Sequence, residues 1–169
     1  MNKTKTLNRK LIEIKTKIYD KISLEISEVN NELEGRKYDA CSFDLDGMQI
    51  ISRSSKITAK KNGQFVTFWK RNVKGITEPF SETDRFDFYV INVKTENNFG
   101  QFVFPKSVLI NKGIISTEKK DGKRGFRVYP NWDNTENKQA KKTQEWQLEY
   151  FYEINKLTDL DFVKNLYRK

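Results

Sequence analysis

Residues 38–51, YDACSFDLDGMQII, alternate polar and apolar side chains around a central Asp-Gly pair. Cys41, Phe43 and Leu45 stand at every second position, which is the period of a strand that buries one face. Asp46-Gly47 favours a two-residue turn, because both central residues of a type I′ turn need a positive φ. The stretch therefore predicts an antiparallel β-hairpin.

Similar strand and turn signals continue through the middle of the chain. Asn62-Gly63 introduces a predicted strand at 64–71, and Asp121-Gly122 is predicted to join two further strands in a hairpin. The remaining predicted strands, including the two of that hairpin, are 86–93, 101–104, 113–117 and 124–129, with a turn at 97–100. Together these segments predict a mostly antiparallel sheet of about six strands.

Helical periodicity flanks this region on both sides. Apolar residues recur at steps of three and four from Leu11 to Leu33, which predicts one long helix ending near Gly35. A short helix is predicted at 106–111, directly after Phe104-Pro105. A stripe from Ala140 to Leu157 predicts another helix, and Thr158 with Asp161 is predicted to cap a last short one.

These segments predict an α+β protein in which a mixed, mostly antiparallel sheet is flanked by helices. A length of 169 residues fits one domain. Its predicted parts are an N-terminal helix in 1–35, the sheet with a short helix in 36–132, and C-terminal helices in 133–169.

The composition indicates a folded, basic protein. The chain has 32 Lys and Arg against 23 Asp and Glu, a net charge of +9, together with 12 Phe, seven Tyr and three Trp. A disordered polycation would carry fewer aromatic residues. No run reaches the eighteen or so apolar residues that a membrane span requires, and the first seventeen residues lack the apolar stretch of a signal peptide, so a cytoplasmic location is expected.

The absence of histidine and the single cysteine exclude several kinds of active site. Without imidazole there is no Ser-His-Asp or Cys-His pair, no histidine-bound zinc and no histidine base. Cys41 alone forms no internal disulfide and no thiolate-rich metal site; we expect a buried apolar residue, with a reactive thiol as the alternative. No cofactor is expected unless the protein cleaves phosphodiesters, in which case carboxylates would hold Mg²⁺ beside a lysine.

One segment is both cationic and aromatic. Residues 53–75 contain seven basic side chains and no acidic one, interleaved with Phe65, Phe68 and Trp69. The basic residues are Arg53, Lys56, Lys60, Lys61, Lys70, Arg71 and Lys74. Ammonium and guanidinium groups bind phosphates, and rings stack on bases, so nucleic acid is the predicted partner. The alternative is a solvated basic hairpin whose rings belong to the core.

A second basic cluster precedes the C-terminal helices, and with the first it is predicted to flank one groove. Arg127 alternates with Phe126 and Val128 and is expected on the opposite face of their strand, as a phosphate contact or in a structural salt bridge. Gln144 and Gln147 are predicted to reach bases if their helix faces the groove, while Trp146 is expected in the core. The cluster consists of Lys119, Lys120, Lys123, Arg124 and Arg127, with Asp121 as its single acid.

Several segments, in this order, resemble the MepB family of bacterial proteins. They are YDACSF at 38–43, KKNGQFVTFWKR at 60–71, GQFVFP at 100–105, GKRGFRVYPNW at 122–132 and TQEWQ at 143–147. The resemblance spans residues 36–152. It implies a restriction-endonuclease-like fold of the PD-(D/E)XK type that grips DNA in a cleft, and the family name implies a neighbourhood to multidrug efflux genes.

The same resemblance implies where a nuclease site would lie. That superfamily uses an acid on one strand, then an acid and a lysine one residue apart on the next, sometimes with a glutamate from the first helix, to hold metal ions on the phosphate. Asp87 is the candidate first acid, and Glu28 or Glu32 the candidate helical acid. On the next strand Gln101 and Val103 occupy the places of the acid and the lysine. This departure favours binding without cleavage.

The sequence therefore predicts a protein that binds nucleic acid, with duplex DNA held by its backbone phosphates. Alternatives are a Mg²⁺-dependent endonuclease that uses Asp87, and an accessory factor whose basic face docks on an acidic protein or an anionic membrane, with Trp69 in the core. The predicted binding residues are Arg53, Lys56, Lys60, Lys61, Trp69, Arg71, Lys123, Arg124, Arg127 and Gln144.

Overall fold

The computed structural model describes residues 6–169, so the first five residues of the predicted N-terminal helix lie outside the described chain. The α-helices of the described chain are α1 (Arg9–Lys17), α2 (Lys106–Asn111), α3 (Lys138–Leu148) and α4 (Leu160–Leu166). Short 3₁₀ helices lie at Tyr19–Ile22 and Arg36–Tyr38. The strands are β1 (Ile26–Asn31), β2 (Cys41–Leu45), β3 (Met48–Ser54), β4 (Lys56–Ile57), β5 (Gln64–Thr67), β6 (Trp69–Arg71), β7 (Thr77–Pro79), β8 (Phe88–Lys94), β9 (Phe99–Pro105), β10 (Gly125–Val128) and β11 (Phe151–Glu153).

A six-stranded sheet in the order β1-β2-β3-β8-β9-β11 forms the centre of the molecule. Strands β3 and β8 pair in parallel, and the other neighbours pair antiparallel. The β2–β3 hairpin turns at Asp46 and Gly47, whose φ angles of 55° and 90° are those that a type I′ turn requires. The predicted hairpin and the predicted mixed sheet are both confirmed.

The central sheet is buried on both faces, and each face has its own apolar core. Phe88 and Val90 of β8 pack under α1 and α4, whereas Tyr89 and Ile91 pack under α2, α3 and the smaller sheets. This arrangement explains why β8 reads as an almost continuous apolar run. Cys41 belongs to the first core, where burial raises the pKa of its thiol to about 11, as expected of an unreactive buried cysteine.

A three-stranded sheet in the order β10-β5-β4 covers the second core, and β6 pairs with β7 beside it. The prediction that Asp121-Gly122 joins two strands in a hairpin is wrong, because β10 pairs with β5 instead. Phe126 lies opposite Val66, and both side chains reach the second core. Burial of this apolar pair determines the partner of β10, and Asp121-Gly122 lies in the preceding loop.

The long N-terminal helix is also a wrong prediction. Helix α1 ends at Lys17, a 3₁₀ turn follows, and Ser23 takes a left-handed conformation with φ 59° before β1 begins. In β1, Glu28 has φ 51° and the pairing with β2 shifts register between Ser27 and Asn30. This β-bulge adds a residue between Ile26 and Val29 and so produces a spacing of three that resembles a helix.

The C-terminal third differs from the prediction in two respects. Helix α3 ends at Leu148, and the following residues form β11 at the edge of the central sheet beside β9. Helix α2 has its predicted bounds and α4 is present as predicted, although Asp159 rather than Thr158 caps α4 by accepting a hydrogen bond from the Phe162 amide. Among residues 6–169, no helix has the length and apolar character that crossing a membrane takes.

Candidate nucleic-acid interface

The outer face of the three-stranded sheet presents a row of alternating cations and a ring. Lys56 of β4, Phe65 of β5 and Arg127 of β10 are register partners across the sheet. Their neighbours Phe126 and Val128 point the other way into the core, so the alternation predicted for Arg127 is confirmed. Tyr38 extends the row, because its ring lies edge-on to Phe65 and the Lys56 ammonium lies 5.6 Å from its centroid.

Between β10 and α3 this face descends into an open cleft of about 520 Å³. Rings of Phe65, Tyr129 and Trp146 line it, together with cations and amides from the surrounding elements. No carboxylate is among its lining residues in the described chain. The other lining residues are Lys112, Ile114, Lys123, Gly125, Phe126, Arg127, Asn137, Gln139, Ala140, Thr143 and Gln147. We call this site the cleft.

Gly63 shapes one wall of the cleft. It has φ 78°, and a Cβ at this position would lie 2.7 Å from the Tyr129 ring. Only glycine fits both the left-handed backbone and the close approach of the ring. The Asn62-Gly63 pair therefore places Tyr129 beside the loop that carries Lys60 and Lys61.

Several lysines around the cleft are exposed and unpaired. Lys60, Lys61 and Lys123 form no salt bridge with any described residue. Lys112 is exposed as well, with its ammonium 5.1 Å from the centre of the Trp146 ring. Lys60 and Lys61 of the first predicted basic cluster and Lys123 of the second are thus available to an anion near this cleft.

Arg53 is the clearest correction to the predicted site. Its side chain is 3% exposed, and its guanidinium donates to the Ser52 carbonyl and to a Glu32 carboxylate oxygen at 3.2 Å. Its position on β3 directs it into the interior, so the prediction of a phosphate contact is wrong. Glu32, offered as a helical metal ligand, lies after β1 and pairs with Arg53.

Other cations of the two clusters are held by the protein itself. The Lys70 ammonium donates to Oδ1 of Asp84 at 2.6 Å, and this hydrogen bond raises the pKa of Lys70. Arg71 donates to Glu34 at 2.6 Å and to the Gly75 carbonyl, and Arg124 donates to the Thr77 carbonyl. Arg71 and Arg124 keep exposed surface for a phosphate, whereas Lys70 serves mainly as a structural partner.

Arg127 binds the chain in several places and still lines the cleft. Its Nε donates to the Asn62 carbonyl, and its Nη2 donates to Thr58 and to the Gly63 carbonyl. These bonds tie the loop at 58–63 to β10. Arg127 forms no salt bridge with a described residue, so its structural role rests on hydrogen bonds to two carbonyls and a hydroxyl rather than on the ion pair offered as an alternative.

The glutamines of α3 support the protein rather than read bases. Gln144 donates to the carbonyls of Pro130 and Asp133 and accepts from Thr135, which uses both ends of its amide. Buried Gln147 bridges the Tyr129 amide and the Arg127 carbonyl. The prediction that Gln144 contacts a base is therefore not supported, because the amide would first have to leave three partners.

The tryptophans divide between core and surface. Trp146 packs against the second core and also faces the cleft, so its predicted core position holds in part. Trp69 is half-buried and belongs to neither core, and the Arg71 guanidinium lies 5.6 Å from its ring. Trp69 therefore stays a candidate contact at the edge of β6.

Asp87 lies away from the cleft, just before β8. Its carboxylate accepts from the Gln49 amide at 2.8 Å and borders a second groove with Lys106, Arg168 and Lys169. No second carboxylate lines that groove among the described residues. Nor do residues 6–169 contain a group of three or more His, Cys, Asp or Glu side chains that would hold a metal ion.

Gln101, which the sequence resemblance placed where a nuclease would have its second acid, is fully buried. Its Oε1 accepts from the hydroxyls of Tyr152 at 2.7 Å and Tyr167 at 2.9 Å. Its Nε2 donates to Asn92 at 2.9 Å. This side chain organises the first core and does not face a groove.

Comparison with known proteins places these features in a family. The MepB-like family model matches residues 32–153. The chain belongs to the MepB-like family. A solved structure titled as the crystal structure of MepB is 35% identical, with a TM-score of 0.76 over 88% of this chain and 99% of that one. The resemblance noted in the sequence is confirmed.

Two further comparisons concern this MepB-like protein. A bacterial homing endonuclease is 21% identical, with a TM-score of 0.40 over 76% of this chain and 80% of that one. No curated protein matches the chain.

Sequence reasoning missed part of the cleft. Lys112, Asn137 and Gln139 line it but stand outside the basic clusters, in segments with no distinguishing pattern. Tyr129 also lines the cleft and is absent from the predicted binding residues. The sequence signal for its position is Gly63, since a glycine beside a strand often marks the close approach of another group.

Proposed function

We propose that this MepB-like protein binds nucleic acid, and duplex DNA in particular, through its backbone phosphates. The supporting observation is the continuous surface formed by the Lys56–Phe65–Arg127 row and the cleft, where cations and rings alternate without a lining carboxylate. Cations neutralise phosphates, and flat rings pack against sugars and bases.

The pairing of basic side chains differs between this surface and α1. The lysines of α1 are largely neutralised, since Lys15 pairs with Asp20 and Lys17 with Glu13 on the other side of the central sheet. Lys60, Lys61, Lys112 and Lys123 form no salt bridge with a described residue. Unpaired lysines keep their full attraction for phosphates, because no ion pair has to break first.

Backbone contacts explain the expected lack of strong sequence preference. Lysine is a compact point charge on a flexible stem, and it suits phosphates better than the bidentate reading of base edges. The arginines with the geometry for base reading, Arg124 and Arg127, already donate to main-chain carbonyls. We therefore expect affinity to depend on salt far more than on sequence.

The test is a titration of labelled duplex DNA with purified protein at low and high salt, with and without Mg²⁺, and with the same samples run on a denaturing gel. We expect retention of intact DNA that weakens steeply with salt, with a log–log slope near −0.9 for each neutralised phosphate. Absence of binding at low salt, or an affinity insensitive to salt, would overturn the proposal.

The Mg²⁺ arm distinguishes binding from cleavage. Fragments that appear only with Mg²⁺, and that disappear in Asp87→Asn while binding persists, would assign the endonuclease alternative to the groove beside Asp87.

The docking alternative is tested by competition, in which an excess of unrelated duplex DNA is added to the protein bound to an acidic protein or to an anionic vesicle. If it fails to displace a bound acidic protein or an anionic vesicle, the docking alternative replaces ours.

A further inference from the structure

The dimensions of the cleft limit what enters it. A cavity of about 520 Å³ is in the range of small-ligand sites. A double helix is far larger, since its major groove alone is about 12 Å wide. A duplex therefore lies across the mouth, and the interior takes a unit no larger than one nucleotide.

The walls of the cleft suit a flat ring. Phe65 and Tyr129 are partly exposed on the side of the small sheet, and Trp146 is partly exposed on the side of α3. Bases stack on such side chains without regard to sequence, because every base has a π-face. These rings line the cleft on two sides and leave its mouth open.

Unused polar groups lie beside the rings. Gln139 and Thr143 form no side-chain hydrogen bond with any described residue, and both line the cleft. The side-chain Oδ1 of Asn137 caps α3 by accepting from the Ala140 amide, which leaves the side-chain NH₂ of Asn137 without a partner in the described chain. These groups offer donors and acceptors to the edge of a base.

Charge at the cleft selects an anion. Lys112 and Lys123 line it from the two ends of the segment that connects α2 to β10, and the described lining contains no carboxylate that would repel a phosphate. An acidic peptide would pair with the two lysines, but it would leave the aromatic rings and the free amide groups beside them without partners. A nucleotide unit satisfies both.

We propose that the cleft binds one unpaired nucleotide of a nucleic-acid chain, with its base beside Phe65, Tyr129 and Trp146 and its phosphate on Lys112 and Lys123. This inference rests on the proposed function and deepens it: the protein distinguishes DNA with a bulged, extruded or single-stranded nucleotide from fully paired DNA. Extrusion costs less where a base is already unpaired, so such sites are preferred.

The test compares three labelled DNAs of equal length: a paired duplex, the same duplex with one bulged nucleotide, and the single strand. We expect the bulged duplex to bind roughly tenfold more tightly than the paired one, the size of one base–ring stack. Free deoxyadenosine monophosphate is the competitor that separates a nucleotide within a chain from a free one, and we expect it to compete weakly.

Filling the cleft should abolish the preference. Thr143→Phe adds a ring inside the cleft. We expect this variant to bind bulged and paired duplexes equally, with the affinity that the wild type has for the paired duplex. Thr16→Phe adds the same ring to an exposed position of α1 and should keep the preference. Tyr129→Ala removes a stacking ring and should reduce the preference, which provides a second variant if Thr143→Phe unfolds.

The results that would overturn nucleotide binding in the cleft differ from those that would overturn DNA binding. Equal binding of bulged and paired DNA by the wild type, or a preference that survives both cleft variants, would overturn this inference and leave duplex binding intact. Monophosphate that competes as well as bulged DNA would identify a free-nucleotide site instead. Absence of binding to all three DNAs would overturn the proposed function itself.

Discussion

The Arg53 guanidinium donates to the Glu32 carboxylate at 3.2 Å, and so joins the middle of the central sheet to the chain just after its edge strand. Arg53 is 3% exposed and Glu32 is half-buried. A basic residue predicted to contact phosphate is thus a structural connection between β3 and the segment that follows β1.

Arg53→Ala should lower the free energy of unfolding by about 3 kcal/mol, because it removes a buried charge partner and leaves the Ser52 carbonyl without its donor. Urea denaturation measures the change. Lys56→Ala is the matched control: it lies on the exposed face of β4, so we expect unchanged stability and weaker DNA binding. Weak DNA binding by a fully folded Arg53→Ala protein would return Arg53 to the interface.

Lys60→Gln/Lys61→Gln should reduce the salt dependence of DNA binding, since each lost phosphate contact lowers the magnitude of the log–log slope by about one. Lys15→Gln/Lys17→Gln removes the same charge from α1, where both lysines are paired. This control should leave the slope close to the wild-type value. Identical slopes for the two double variants would mean that net charge alone, and not this surface, attracts DNA.

Gln101→Leu should destabilise the protein by roughly 3 kcal/mol, because the buried hydroxyls of Tyr152 and Tyr167 lose their acceptor. Tyr167→Phe removes one of these donors together with its need for a partner, so its effect should be smaller. Thermal unfolding of both variants checks the order, and a larger loss for Tyr167→Phe would contradict it.

Asp133→Asn should raise stability at neutral pH. Burial raises the pKa of Asp133 despite the Gly63 amide and Arg127, and its Oδ2 has no partner among the described residues. With a raised folded pKa, the protonated carboxyl favours folding below the unfolded pKa, and that contribution is lost as pH rises through the folded pKa. The stabilisation by Asp133→Asn should therefore shrink as pH falls from 7 towards 4. A gap that widens on acidification would contradict this sign.

Local sequence signals predicted the fold correctly where one residue type determines the backbone. Asp46-Gly47 predicts its turn, and Pro105 predicts the start of α2. Such signals failed where the pairing with a strand distant in sequence determines the local structure. The bulge at Glu28 imitates a helical spacing, and β10 leaves the neighbouring Asp-Gly pair to join β5.

The candidate site was likewise predictable where composition alone determines it, and unpredictable where distant contacts determine it. Composition indicated a basic and aromatic surface, but charge alone did not reveal which cations turn inward. Arg53 and Gln144 have ordinary sequence surroundings, and only the sheet register and the loop after Pro130 show that their polar groups are already bonded. The cleft combines segments more than sixty residues apart, from Phe65 to Trp146, and no local pattern predicts that meeting.

The pairing of β5 with β10 has a consequence for protein synthesis. A nascent chain that has emerged as far as Pro105 already contains Lys60, Lys61 and Phe65, but not the strand that closes their sheet or the helix that forms the far wall of the cleft. A domain generally folds as a unit once its segments have emerged during translation. The complete cleft therefore forms only after Trp146 leaves the ribosome, so an incomplete chain carries these lysines without the cleft.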